Sequence, residues 1–223
     1  MVNFPALVSY NRFVELMPGA MLALGLYLQA RRGRCTGLSF MDSTKLAVCH
    51  NLRIRSHRAM RAVARLGKTS SGWFYGLKLH LIVNDRGDLL AFWITPGNVD
   101  DRSPVQAMAG ELFGLLFADR GYVSQELFER LYRRGLKLIT RLKRNMLNKL
   151  MELPEKLLLR KRAIIETIND QLKNISQIEH TRHRSVMNYF VNLLAGLAAY
   201  MWRPKKPSLH VSHTQLQQLT VIC

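Results

Sequence analysis

Two runs of aromatic and β-branched residues between residues 72 and 97 constrain the fold more than any other feature of this chain. The runs GWFYGLKLHLIV and LLAFWITPG are separated by NDRGD, a short segment that contains one glycine and two aspartates. This pattern predicts a β-hairpin, and therefore a sheet. Asp85 and Asp88 are then interpreted as turn residues. The aromatic residues that open the first run are interpreted as core residues of a strand rather than as a base-stacking platform: Trp73, Phe74 and Tyr75.

The segments around the hairpin predict an α/β protein with a mixed sheet. Residues 1–36 read as helical, with a break at Pro18-Gly19, and GLSFMDST reads as a strand. After the hairpin, strands (LLFAD, LKLIT) alternate with helical segments, one of which starts at Ser124. Two further helices are predicted towards the C-terminus, from Leu157 to about Ser176 and from Ser185 to Trp202.

The charge of the chain indicates a polyanionic partner. Thirty-three Lys and Arg against 15 Asp and Glu give a formal net charge of +18, which favours nucleic acid or an anionic membrane surface. Two apolar stretches, MLALGLYLQA and VNLLAGLAAYMW, fall short of the roughly 20 residues that span a bilayer, so we expect packed helices and no membrane partner. The three cysteines are widely spaced and predict neither a disulfide framework nor a zinc site. We expect a cytoplasmic protein that faces nucleic acid and needs no small-molecule cofactor.

Two basic segments are candidates for phosphate contact. In RSHRAMRAVARLGK, the cations Arg58, Arg61 and Arg65 recur at helical spacing. They form either a solvated helix face or a stripe that faces DNA. The segment RLKRNMLNK follows a predicted strand, and its cations are assigned to phosphate contact: Arg141, Lys143 and Arg144.

Asp42 and Asp119 occupy matching positions in the sequence. LSFMD and LLFAD each carry an apolar run that stops at an aspartate. If these strands are neighbours, both carboxylates come to one edge of the sheet, where they repel unless a cation joins them. Mg²⁺, which prefers carboxylate oxygens, is the natural partner. For either aspartate alone, the plain alternative is a strand-end or turn residue.

A helical face in RAIIETINDQLKNI presents a third carboxylate between cations. At about 100° per residue, Arg162, Glu166, Asn169 and Lys173 stack on one face, and isoleucine and leucine residues occupy another. These residues either form ion pairs on a solvated face or complete a metal site and grip phosphates.

Six segments in this order resemble a bacterial insertion-sequence transposase of the DDE class. They are SFMDSTKLAVCHN, GKTSSGWFYGLKLHL, TPGNVDDRSP, LFADRGYVSQELFERL, LITRLKRNM and RAIIETINDQLKNISQIEHTRHRS. The resemblance implies an RNase H-like catalytic domain over 37–207, with a helical segment at 1–36 and a tail at 208–223. It assigns the catalytic, metal-binding triad to Asp42, Asp119 and Glu166. Arg162 and Lys173 match the family's Arg-x3-Glu-x6-Lys signature.

The resemblance also implies a reaction and its cofactors. Two Mg²⁺ ions, with Mn²⁺ as a substitute, would support cleavage at the transposon ends and transfer of the 3′-OH into target DNA by a homodimer on DNA. The alternatives are an RNase H-like nuclease without strand transfer and a catalytically idle DNA-binding remnant. Two departures stand out. Related signatures often carry a tyrosine where this chain has Leu159, and family members usually have a longer end-recognising segment than the 36 residues found here.

Overall fold

A six-stranded mixed sheet forms the centre of the protein. The computed structural model describes residues 7–141, 153–179 and 183–209. Its strands are β1 (Leu38–Cys49), β2 (Arg65–Thr69), β3 (Gly72–Asn84), β4 (Leu89–Pro96), β5 (Gly114–Ala118) and β6 (Leu136–Thr140).

The strand order is that of an RNase H-like fold, as predicted. The main path runs β2-β3-β1-β5-β6, and β4 also pairs with β3. β1 is antiparallel to β3 and parallel to β5, and β5 is parallel to β6. β2 pairs with residues 72–76 of β3, whereas β4 pairs with residues 77–83. In the antiparallel half, β1, β2 and β3 form a long antiparallel ribbon. In the parallel half, all five residues of β5 are buried.

Helices cover both faces of the sheet. They are α1 (Tyr10–Leu16), α2 (Met21–Ala30), α3 (Val105–Met108), α4 (Gln125–Tyr132), α5 (Leu153–Arg160), α6 (Ala163–Asn174) and α7 (Val186–Met201). One hydrophobic core joins alternate residues of β1, β3 and β5 to α6 and α7, and a second joins the other residues to α3 and α4. Because side chains of a strand alternate between its faces, β1, β3 and β5 each contribute to both cores.

The hairpin is confirmed, with one correction at its first residues. β3 and β4 are antiparallel, and Asp85 and Asp88 lie in or beside the turn. Phe74 and Tyr75 are buried, but Trp73 is 57% exposed. The prediction of a core role for Trp73 was therefore wrong, because the buried part of β3 begins one residue later, at Phe74.

Two helix predictions were also wrong. The segment RSHRAMRAVARLGK is not helical: it forms turns and then β2, which pairs with β3 and whose backbone is satisfied there. The helix predicted from Leu157 is interrupted by a turn at Lys161-Arg162, which separates α5 from α6. No proline or glycine marks this break in the sequence.

The N-terminal segment is helical, as predicted, and longer than its apolar stretch suggested. α1 and α2 are joined by a 3₁₀ turn at Met17–Ala20, so the helical run Tyr10–Ala30 has 21 residues. By length and composition alone this run could cross a membrane, and only 6% of its apolar window is buried. α2 packs against α7, and Leu28 reaches the core. The domain limits at 37 and 207 stay a prediction, and most of the predicted tail lies outside the described residues.

Candidate functional site

Asp42 is the fifth residue of β1 and lies on the sheet face that α6 covers. Phe40, two residues earlier, stacks on Phe117 of β5 with ring centroids 5.3 Å apart, and both belong to the core that includes α6. Since side chains alternate, Asp42 shares that face. The strand predicted from GLSFMDST was too short. β1 continues to Cys49 because β3 pairs with it far beyond Thr44.

Asp119 lies beside Asp42 in the sheet. β1 and β5 pair in parallel, with Phe40 opposite Phe117, and two further residues along this register bring Asp42 level with Asp119. Asp119 directly follows β5 and precedes a 3₁₀ turn at Arg120–Tyr122, whose backbone it does not cap with its side chain. The predicted juxtaposition of the two strands is therefore present, and the carboxylate of Asp119 is free to point into the site.

Arg162 brings the third carboxylate to the other two. Its guanidinium lies 3.6 Å from Asp42 (Nη1 to Oδ1), 3.9 Å from Asp119 (Nη2 to Oδ1) and 2.7 Å from Glu166 (Nη2 to Oε1). The Arg162 side chain is 12% exposed, whereas Glu166 is 57% exposed. The turn between α5 and α6 positions Arg162 here, so one cation sits within 4 Å of acids from a strand, a strand end and a helix.

Asn169 is the second helical residue that reaches the carboxylates. Its Nδ2 donates to Oδ2 of Asp42 at 3.2 Å, and the side chain is buried. The hydrogen bond fixes one carboxylate oxygen of Asp42. Asn169 was predicted to bind DNA from its place on the helix face, and DNA contact by this residue stays a prediction.

Lys173 shares the helix face but points away from the three acids. Its Nζ pairs with Glu179 at 2.9 Å. The other oxygen of Glu179 accepts from the backbone N–H of Ala47, at the irregularity in β1. Glu179 was missed in the sequence, because neither helical nor strand spacing connects it to its partners.

Burial makes the charge of Asp42 costly. The pKa of Asp42 is raised to about 6, chiefly by burial and also by the neighbouring Asp119 and Glu166, although Arg162 and the backbone N–H of Ser43 oppose the shift. A carboxylate in this setting favours a cation beside it. Arg162 now supplies that cation.

A comparison with protein families decides the classification. Residues 32–186 match the model of the transposase DDE domain. The chain belongs to this family. Membership implies transposition-related DNA cleavage, and the family generally uses divalent metals. No curated protein matches the chain.

The acids of this DDE domain are ligands of the type that a hard cation binds, but their side chains are too far apart in this structure to share one ion. Within residues 7–141, 153–179 and 183–209, no three His, Cys, Asp or Glu side chains are grouped closely enough to hold a metal as placed. The Arg162 guanidinium occupies the space between the acids. Its Nη1 is buried without a hydrogen-bond acceptor in that part of the chain, and so is Oδ1 of Asn169 without a donor. Three carboxylates and an unsatisfied amide oxygen are donors that Mg²⁺ accepts, so the residues fit the ion once the guanidinium moves.

The other cations predicted to bind DNA lie away from this centre. Arg58 and Arg61 are exposed in the turns before β2. Arg65, at the start of β2, donates to the carbonyls of Arg61 and Ala64 at 2.9 and 2.8 Å. Arg141 is exposed directly after β6. Lys143 and Arg144 fall outside the described residues, and DNA contact by all six stays a prediction.

Proposed function

We propose that this chain is a DNA transposase whose catalytic centre consists of Asp42, Asp119 and Glu166. The observation that carries the proposal is the convergence of these three acids on the single guanidinium of Arg162. The acids come from separate segments, so simple helical pairing does not account for their meeting. The family match supplies the class of reaction.

The reaction consists of two phosphoryl transfers. In the first, water attacks a phosphodiester at the end of the element, and the bond to the 3′ oxygen breaks to leave a 3′-OH. In the second, that 3′-OH attacks a target phosphodiester and releases a target 3′-OH. Each step forms one P–O bond and breaks another, so no further reactant is needed.

Divalent ions held by Asp42, Asp119 and Glu166 would activate the nucleophile and stabilise the leaving oxygen. The chain's own residues position these groups. Asn169 orients Asp42 through its hydrogen bond, and Arg162 offers five N–H donors that match a phosphate as well as a carboxylate. Lys173 lies two turns further along α6, where it would contact a neighbouring phosphate after exchange with Glu179.

A product assay tests this proposal and separates it from a plain nuclease. The substrate is a plasmid that carries the coding gene with its native flanking DNA, incubated with the protein and Mg²⁺. A transposase yields 3′-OH ends at the element's borders and joined products in a second plasmid. Cleavage without joined products would favour the nuclease instead.

The matched control for this assay is Asp170→Asn. Asp170 is exposed on α6 and hydrogen-bonds to Asn174, so D170N and D119N change the net charge equally. We expect D170N to cleave and join like the wild type and D119N to do neither. Equal activity of D119N and wild type would contradict the assignment.

A further inference from the structure

Glu179 connects the end of α6 to the long strand β1. One of its carboxylate oxygens accepts from the backbone N–H of Ala47 at 3.0 Å, and the other pairs with Nζ of Lys173 at 2.9 Å. Both side chains are mostly shielded from water. A shielded carboxylate that holds two donors keeps its position better than a carboxylate in an exposed ion pair does.

The part of β1 that Glu179 contacts has no neighbouring strand on one side. β5 pairs with β1 only over Leu38–Phe40, whereas β3 pairs with β1 as far as Cys49. Over the described part of the chain, β1 has no other strand beside it. The backbone N–H groups on this open edge therefore need other partners. Glu179 supplies one for Ala47, directly before the irregularity in the β1–β3 register.

The backbone that leads to Glu179 is fixed by packing. Gln177 has a φ of 49°, which is left-handed and uncommon for a residue with a side chain. Ile178 is fully buried, and its N–H donates to the carbonyl of Leu172 at 3.2 Å. A β-carbon on Gly196 of α7 would lie 2.4 Å from Cγ2 of Ile178. Because such a backbone conformation persists only where its surroundings hold it, the turn after α6 presents Glu179 in one orientation.

α6 is therefore attached to β1 at two points. Asn169 donates to Asp42 at 3.2 Å, and the turn after the helix reaches Ala47 through Glu179. Asp42 and Ala47 are five residues apart in β1, which is about 17 Å. Two attachments at this separation fix the direction of the helix across the strand. With the Asn169 contact alone, the helix could pivot about that residue.

The direction of α6 decides where Glu166 lies. Glu166 precedes Asn169 by three residues, so its backbone is about 4.5 Å from the pivot, and a pivot of about 10° moves it by about 0.8 Å. Asp42 and Asp119 belong to the sheet and do not move with the helix. A functional group of atoms tolerates about 0.5 Å of misplacement, so this pivot would separate Glu166 from the sheet carboxylates.

We propose that Glu179 is a positioning residue: through its contact with Ala47 it holds α6 at the angle that brings Glu166 and Asn169 to the carboxylates of the sheet. The proposal rests on the proposed function for the role of those carboxylates. The contact with Ala47 carries the effect. Lys173 can therefore exchange Glu179 for a phosphate while α6 stays in place.

The first experiment reads the position of Asn169 without metal or DNA. In the ¹⁵N-labelled full chain, in EDTA, NMR follows the side-chain amide of Asn169 and the backbone amide of Ala47. E179A should shift the Asn169 resonances and speed hydrogen exchange at Ala47 at least tenfold. E179Q, whose amide oxygen can still accept from Ala47, should resemble the wild type at both positions. Unchanged Asn169 resonances in E179A would overturn the proposal, and equal shifts in E179Q and E179A would contradict the role of the Ala47 contact.

Asp88→Ala is the matched control. The Asp88–Lys206 pair is also 2.9 Å long, and its side chains are 33% and 19% exposed, against 27% and 20% for Glu179 and Lys173. It lies beside the β3–β4 turn, away from α6. D88A therefore removes the same charge and a comparable ion pair. We expect D88A to leave the Asn169 and Ala47 signals unchanged. Equal changes in D88A and E179A would overturn the proposal, because the effect would then be one of general stability.

The second experiment measures divalent ions directly. Mn²⁺ is titrated into the folded wild type and its variants, and electron paramagnetic resonance reports the free ion. E179A should bind Mn²⁺ about tenfold more weakly than the wild type, whereas E179Q and D88A should stay within about threefold, since contacts behind metal ligands typically change affinity about 10–100-fold. Wild-type affinity in E179A would contradict the positioning role.

Two further variants keep the result decisive. If D119N binds Mn²⁺ as the wild type does, the assignment of the catalytic carboxylates fails, but the Asn169 signal still decides the role of Glu179. If E179A fails to fold, E179D is measured instead, because its shorter side chain keeps the charge and withdraws from Ala47. E179D should shift the Asn169 amide, and an unchanged signal would overturn the proposal.

Discussion

Arg162 performs at residue scale what a bound metal performs in a carboxylate site: it places positive charge between three acids. Its guanidinium is within 4 Å of Asp42, Asp119 and Glu166. Arg162 lies between α5, which ends at Arg160, and α6, which begins at Ala163, so the turn at Lys161-Arg162 places its side chain. The structure therefore links a local break in a helix to the electrostatics of the whole site.

Replacing Arg162 by glutamine should expose the repulsion between the acids. In EDTA at pH 8 we expect R162Q to lower the free energy of unfolding by about 1–3 kcal/mol, the range for losing hydrogen bonds and ion pairs of a charged group. Mg²⁺ at 10 mM should restore more stability to R162Q than to the wild type, because the ion replaces the missing cation. Urea unfolding with and without Mg²⁺ measures both effects.

Arg160, exposed at the end of α5, provides the control for that measurement. R160Q should change the free energy of unfolding by less than about 0.5 kcal/mol and respond to Mg²⁺ as the wild type does. An identical Mg²⁺ response in R162Q and R160Q would show that Arg162 does not compensate the acids.

At the scale of elements, β3 carries a buried histidine behind the site. His80 faces Ser43 in the β1–β3 register and is fully buried, and its Nε2 lies 2.8 Å from the hydroxyl of Thr95. The pKa of His80 is lowered to about 4, chiefly by burial and also by nearby Lys78, although Asp101 opposes the shift. The structure therefore holds this imidazole neutral.

The depressed pKa predicts acid sensitivity. Between pH 6.5 and 4 the unfolded chain binds a proton at His80 that the folded chain does not, so stability falls as the pH is lowered through this window. A shift of that size amounts to about 3 kcal/mol. H80Q should lose this component, and its unfolding free energy between pH 7 and 4 should decline less than that of the wild type. Parallel declines would contradict the account.

The contact between β2 and the loop after β4 depends on glycine. A β-carbon on Gly67 would lie 2.1 Å from the carbonyl oxygen of Gly97 and 2.8 Å from the ring of Phe74. G67A should therefore cost about 1–3 kcal/mol in unfolding free energy by overpacking. A β-carbon on Gly121 would have no heavy atom within 4 Å. G121A should therefore change the unfolding free energy by less than about 0.5 kcal/mol. Equal effects in thermal unfolding would contradict this close approach.

Elements with local signals could be predicted from the sequence, and those fixed by distant contacts could not. Ser124 and Ser185 cap α4 and α7 as the patterns indicated. The arginines before β2 recur at helical spacing, yet pairing with β3 made the end of that segment a strand. No proline or glycine marks the break at Arg162 in the sequence, so helical spacing alone predicted one continuous helix.

The juxtaposition of the proposed catalytic residues Asp42 and Asp119 could be predicted from the sequence for a comparable reason. Asp42 and Asp119 each follow an apolar run, and parallel pairing of β1 with β5 places them side by side. What could not be foreseen was that β1 continues past Thr44 to Cys49. The length of β3, its antiparallel partner, determines this extension.

At the scale of the whole molecule, the fold separates two charge regions. The RNase H-like sheet gathers three acids where β1, β5 and α6 meet, whereas the ribbon of β1, β2 and β3 beyond them carries cations without acids. This division explains how a strongly basic chain can keep a cluster of three acids.

The most direct test of the central claim is a comparison of single-turnover DNA cleavage rates for D42N, D119N and E166Q in Mg²⁺. Because the three acids act as one unit, each substitution should lower the rate by a similar factor, on the order of 10³ or more, while the variants remain folded. D170N should cleave at the wild-type rate. Wild-type cleavage by any one of the three variants would contradict the claim that Asp42, Asp119 and Glu166 form the catalytic centre.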